Sequence, residues 1–415
     1  MSKTDPYAAL RYSDFRYFVS AQLFFTLAIL MQEIILSYYL YELTHDPFSL
    51  GLVGLAEAVP FISLALFGGY VADKFDRKKI YLWSFFVVCL VTVLLIFGLS
   101  ENSLLSLDKE HQPWVIYVSV FIFGVARGFY SPSWSSLKPF LVKEEHYSNS
   151  ASWSAQFWQI GRIAGPVLGG FLYAFVGFIS SLWVVLAFLI LTVLLAAQIS
   201  KKEIKKQTKA NLMDSLREGY GFVRKNKIMW YSIVLDMFSV LFGGVIAMLP
   251  VFAKDILHVG AEGLGFLRAA PAIGAVLVML GTAYFPPTNK AWRNMLLAVA
   301  GFGVATLVFA VSTNFYLSCF ALFFTGAFDS ISVVVRSTIL QILPPDHMRG
   351  RVSAVNGVFV STSNELGAFE SGLAAKLLGT VPSVIFGGAM TLVIVTYIYT
   401  QSKELFGVKL IKEGK

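Results

Sequence analysis

Charge is what this chain has least of. Only 14% of its 415 residues are Asp, Glu, Lys or Arg, and 56% are apolar. A soluble domain carries about 25% charged residues, so the composition excludes a water-soluble globular protein and points to a membrane protein. Cysteine is nearly missing. The two present, Cys89 and Cys319, both lie in apolar stretches, which excludes a disulfide framework and reads as packing. Histidine is scarce as well: none of the five (His45, His111, His146, His258, His347) falls mid-way along an apolar run. Any buried proton relay would therefore use carboxylates. HExxH, GxSxG and Cys/His clusters do not occur, so no enzyme chemistry, cofactor or metal site is expected. Nor is a cleaved signal peptide expected at the N-terminus, because the first apolar run continues into a full span.

What is there is long apolar runs separated by short charged loops. Residues 50–71 carry only Glu57, and residues 80–100 carry no charge. Residues 163–200 run for 38 positions without one. At 1.5 Å per residue that is about 57 Å of helix, nearly twice a bilayer core, so it must supply most of two spans, turned near residues 174–180. Spans are expected near residues 15–39, on either side of residues 72–79, and at 114–137, 228–253, 264–285, 294–343 (two), 352–378 and 381–402. Six spans fall in residues 1–200 and six in 228–415, with a basic cytoplasmic linker at 201–227. The net charge of +8 could suggest nucleic acid, but 26 of the 33 Lys and Arg sit at the termini and in alternate loops. That is the positive-inside pattern with both termini cytoplasmic. The positive charge is topology, and no nucleic-acid partner is expected.

A faint repeat links the halves. An offset of 202 residues places Gly165 on Gly367 and Gly170 on Gly372.

Two motifs stand out. The first is Gly69-x3-Asp73-x3-Arg77-Lys78, jammed between two apolar runs. The second is Gly161-x3-Gly165-Pro166-x2-Gly169-Gly170. Glycines four apart share a helical face and let another backbone approach, and Pro166 bends the helix. A plain packing face would read the same way.

The first string resembles the signature between helices 2 and 3 of the major facilitator superfamily, with Asp76 where the family usually has Gly. The second resembles that family's antiporter motif, found mainly in exporters. Residues 328–338, 348–356 and 363–372 are similar to the drug and siderophore exporter branch that includes enterobactin-exporter-like proteins. The resemblance implies an all-α integral membrane fold, twelve transmembrane helices in two six-helix bundles that open alternately to each side. It also implies that Asp73, aided by Arg77, shuts the cytoplasmic end against a helix beginning near residues 350–353.

Charges inside spans are costly and usually face a cavity. They are Glu33, Glu57, Arg127, Arg162, Asp236, Asp329, Arg336, Glu365, Glu370 and Lys376. Glu33 is the lone carboxylate between Tyr17 and Glu42. It reads as the first proton-coupling candidate, with Arg127 setting its affinity, and with Asp236 and Glu57 next. A fixed Glu33–Arg127 ion pair is the structural alternative. Phe24, Phe25, Trp153, Trp158 and Phe238 could line a pocket for a flat substrate. The expected function is proton-coupled efflux of a small amphipathic molecule, siderophore or drug, by a monomer in a bacterial inner membrane. A lipid, lysophospholipid or metal-ion transporter of the same fold is the nearest rival, and a membrane receptor or scaffold the non-transporting one.

Overall fold

The computed structural model describes residues 5–100, 108–201, 212–285, 287 and 290–407, and among these the regular structure is entirely helical. Six helices come first: α1 (Ser13–Thr44), α2 (Pro47–Lys74), α3 (Arg77–Leu99), α4 (Gln112–Leu137), α5 (Tyr147–Val176) and α6 (Phe178–Gln198). A short amphipathic helix, α7 (Leu212–Lys225), occupies part of the basic linker. Six more follow: α8 (Lys227–Gly243), α9 (Gly260–Tyr284), α10 (Ala291–Val311), α11 (Phe315–Ile342), α12 (Asp346–Leu378) and α13 (Thr380–Gln401). After Gly243 the α8 span continues through a 3-10 turn and a π turn to Ile256.

Eleven of these spans are long and apolar enough to cross a membrane. The twelfth, α12, has the length at 33 residues, but its charged face takes it below that apolarity. It also starts earlier than the expected 350–353. Pro344 and Pro345 stop the preceding chain, and the helix begins at Asp346.

Local chemistry sets the helix ends. Asp76 caps α3 by accepting from the Lys78 amide at 3.0 Å, and Asn314 caps α11 by accepting from the Leu317 amide at 3.1 Å. The α5–α6 joint is the single residue Gly177 at φ +83, and the α12–α13 joint is the single residue Gly379 at φ +92. The left-handed region suits glycine at both. They too stand 202 residues apart, which extends the sequence repeat to the backbone.

The chain divides into two compact units. The first comprises Met1–His45, Ala56–Thr208 and Gly260–Ala269, the second Asp46–Leu55, Lys209–Val259 and Ala270–Lys415. In the first, α1 packs on α5 and α6, and α3 packs on α4 and α6. In the second, α8 packs on α12 and α13, and α10 packs on α11 and α13. Each of these pairings in the first unit thus has its counterpart in the second. Phe15, Phe18, Tyr81 and Phe85 centre the core of the first unit, where Phe18 stacks on Trp134 at 4.3 Å. Trp292, Met229, Val335 and Ile398 centre that of the second, where the Trp292 indole N–H donates to Ser402 Oγ at 2.9 Å.

Outward faces match a lipid solvent. On α3, Trp83, Phe86, Leu90, Leu94 and Phe97 are all exposed in one helical stripe. An apolar strip of that length is unstable against water and suited to acyl chains.

Candidate functional site

The glycines of α5 lie against α1. A Cβ at Gly161 would meet Thr26 at 2.7 Å, one at Gly165 would meet Leu30 Cβ at 2.9 Å, and one at Gly169 would meet the Met31 Cα at 2.8 Å. The next glycine turns to a different neighbour. A Cβ at Gly170 would meet the Ala261 carbonyl of α9 at 2.3 Å, and one at Gly265 of α9 would meet the Pro166 carbonyl at 2.7 Å. So α5 is clasped between α1 and the first turns of α9. The second unit repeats the device with the same 202-residue register. Gly367 of α12 faces Val240 and Leu241 of α8, while a Cβ on Gly372 would meet the Gly51 Cα of α2 at 2.7 Å. Lys376, one turn on, reaches Asp46 at 3.2 Å and lies 4.8 Å over the Phe48 ring.

The embedded charges are sorted into pairs. Glu57 on α2 meets Arg127 on α4 where those helices cross, and Arg127 also lies 4.3 Å over the Phe61 ring. The expected Glu33–Arg127 pairing is not what the fold makes. Glu33 meets Arg268 on α9, a cation that sequence analysis did not single out although it stands alone within an apolar run. Glu33 is not sealed in apolar surroundings either, since its side chain is 44% exposed.

In the second unit, Asp236 on α8 pairs with Arg336 on α11, and their side chains are 6% and 7% exposed. Beside the pair lies a cavity of about 10 Å³, lined by Asp236, Ser239, Phe302, Phe328, Asp329 and Ser332. That is room for about one water. Glu365 and Glu370 are half-buried on α12. Mid-span, the first unit carries three guanidiniums (Arg127, Arg162, Arg268) against two carboxylates (Glu33, Glu57). The second carries four carboxylates (Asp236, Asp329, Glu365, Glu370) against one guanidinium, Arg336. The two units thus have opposite charge balances.

The motif between α2 and α3 works on helix ends. Arg77 Nε donates to the Ala72 carbonyl at 3.0 Å and Nη1 to the Ser136 carbonyl at 3.1 Å. Lys78 Nζ donates to the Ala197 and Ile199 carbonyls at 2.7 and 2.6 Å. These cations therefore satisfy orphan carbonyls where α2, α4 and α6 finish, which is also the negative end of each helix dipole. Gly69 faces open space. The Asp73 side chain lies outside the described residues.

Of the five aromatic candidates, Phe25 is packed between Phe85 and Tyr130, Phe24 meets Phe188 edge-on, and Phe238 stacks on Phe242. Trp153 donates to the Pro6 carbonyl. Trp158 is the one that stands exposed beside a charge, with Arg162 4.7 Å over its ring.

Comparison with known proteins gives a consistent answer. A family described as Major Facilitator Superfamily matches residues 17–368. An enterobactin exporter, EntS, of Escherichia coli O1:K1 / APEC is 24% identical over 359 residues, which is 85% of this chain and 83% of the relative. The same protein from Shigella boydii serotype 18 matches to the same degree. Among solved structures, a mutant form of the nucleoside transporter NupG superposes with a TM-score of 0.75 at 13% identity, covering 94% of this chain and all of the other. A bacterial homologue of the human lysosomal transporter Spinster, inward-facing and unoccupied, gives 0.72 at 15% identity, covering 97% and 99%. At these identities the structural matches speak for the fold.

Proposed function

The chain belongs to the Major Facilitator Superfamily, a multi-pass membrane transporter of small molecules, and from that premise we propose that it is a proton-coupled exporter working by alternating access. Its cargo is a small amphipathic molecule of the siderophore or drug type, and its place is a bacterial inner membrane, as a monomer with both termini cytoplasmic. Export is supported by the kinship with enterobactin exporters over 85% of the chain and by the clasped glycines of α5. In this reading Asp73, with Gly69, Arg77 and Lys78, gates the cytoplasmic end.

The observation that carries proton coupling is the buried Asp236–Arg336 pair, with surplus carboxylates in the same unit. While Asp236 is ionised, Arg336 is compensated. A proton on Asp236 leaves the guanidinium buried without its counter-charge, a state costing several kcal/mol. Protonation therefore favours any conformation in which Arg336 reaches another anion or water. Asp329 lines the same small cavity, seven residues and about 10 Å along α11 from Arg336. It is the natural acceptor for that movement.

The test is reconstitution into proteoliposomes with an imposed pH gradient and a panel of fluorescent drugs and an iron-chelating siderophore. We expect uphill accumulation of at least one compound that stops when a protonophore collapses the gradient. Accumulation that survives the protonophore would remove proton coupling from the reading.

A further inference from the structure

Arg162 is the sixteenth of the 30 residues of α5, so it sits at the middle of the span, about 22 Å from either end. Its side chain is exposed. A guanidinium at that depth turned toward acyl chains is strongly unfavourable. The helix face shows that it turns elsewhere. Ile160, Leu168 and Phe175 form one exposed apolar stripe of α5. At about 100° per residue, Arg162 points about 120–160° away from it. It lies instead on the side of the glycines that α1 and α9 clasp. Arg162 therefore faces polar space at a depth that lipid phosphates do not reach.

Trp158 is one turn earlier on the same face, 43% exposed, with the guanidinium carbon 4.7 Å over its ring. The ring face attracts the cation, and a guanidinium is the side chain whose planar N–H groups match paired oxygens. The exposed part of the indole supplies an apolar surface next to those groups.

We infer that Arg162 and Trp158 form the recognition point for cargo, and that the cargo is an anion whose charged oxygens lie beside a flat aromatic group. Arg162 takes the oxygens and Trp158 the ring. This deepens the transporter reading above and rests on it. It selects against cationic dyes and against aliphatic acids, the first by charge and the second by the lack of a ring.

The experiment uses the full chain in detergent and three matched probes: 2-naphthoate, naphthylmethylammonium and hexanoate. Ligand binding to the folded state raises the thermal midpoint with concentration. We expect 2-naphthoate to stabilise the wild type at concentrations at least tenfold lower than either other probe. Arg162→Gln should weaken naphthoate at least tenfold while Arg162→Lys keeps part of the effect. Trp158→Ala should bring naphthoate down to the level of hexanoate. No stabilisation of the wild type by naphthoate, equal stabilisation by the cation, or an unchanged response in Arg162→Gln each overturns the assignment. Drug and siderophore accumulation in proteoliposomes, measured on the same Arg162→Gln protein, separates the two ideas. Accumulation at the wild-type rate with unaltered cargo preference would leave the transporter standing and remove this site. No accumulation by the wild type would remove the transporter reading itself.

Discussion

Arg268 of α9 forms an ion pair with Glu33 of α1, 235 residues away in sequence and in the same compact unit. Sequence alone presents Glu33 as a solitary carboxylate in an apolar helix. The fold sets a guanidinium against it and leaves part of its surface open. The Asp236–Arg336 pair is the more enclosed of the two, and the coupling proposal moves there.

Replacing Glu33 should accordingly be tolerated. The Glu33 side chain is 44% exposed and that of Arg268 17%, so the loss should fall between the surface range of about 0–1 kcal/mol and the buried range of about 3–5 kcal/mol, and Glu33→Gln should fold and, in proteoliposomes, still concentrate cargo against its gradient. Loss of uphill transport with downhill exchange intact would return the coupling role to Glu33.

The buried pair should respond asymmetrically. Asp236→Asn strands a guanidinium that cannot shed its charge, at a cost of about 3–5 kcal/mol. Arg336→Met strands a carboxylate that can take up a proton, so its cost should be well below that. Thermal midpoints in detergent read the difference, and equal losses would mean that the pair is not sealed from solvent. Arg336→Met should also lose gradient-driven uptake while keeping downhill exchange.

Two neighbouring glycines make a sharp contrast. A Cβ on Gly68 would sit 2.0 Å from the Gly128 carbonyl of α4, whereas one on Gly69 meets nothing within 4 Å. We expect Gly68→Ala to lose about 1–3 kcal/mol or more, as overpacking does, and Gly69→Ala to fold like the wild type. A tolerated Gly68→Ala in a solubility and thermal-stability assay would mean that α2 and α4 separate readily.

Lys78 closes the end of α6. Lys78→Met removes both donations to the Ala197 and Ile199 carbonyls. Hydrogen bonds from a charged donor contribute about 1.5–3 kcal/mol each before allowance for exposure, so a loss of about 1–2 kcal/mol in total is expected. Faster hydrogen exchange confined to the last turn of α6 would locate it, and unchanged protection there would contradict the capping role.

The helices were legible because bilayer thickness imposes a length that charge-free runs must meet. Residues 163–200 announced two spans, and the turn came at Gly177, inside the expected stretch. Glycine spacing was legible for a similar reason: only backbone proximity makes four-residue glycine intervals useful, and Gly161, Gly165 and Gly169 do face α1. Ion-pair partners were not legible. Glu33 to Arg268 and Glu57 to Arg127 are choices among helices, made by tertiary packing that no local pattern records. The polar helix α12 was only partly legible, because Arg349 and Arg351 read as loop charges although they lie within its first two turns.

The one-residue joints at Gly177 and Gly379 also bear on how the protein holds its charges in a membrane. A single left-handed residue leaves no slack between the helices it connects. Each joint therefore holds its two helices as a tight hairpin, α5 with α6 and α12 with α13. The first of each pair is the more polar half, α5 bearing Arg162 and α12 bearing Glu365, Glu370 and Lys376, while α6 and α13 carry no charge at all. Each charged helix is thus tethered without slack to a helix that bears no charge, and the apolar partner offsets part of the cost of holding those charges within a bilayer.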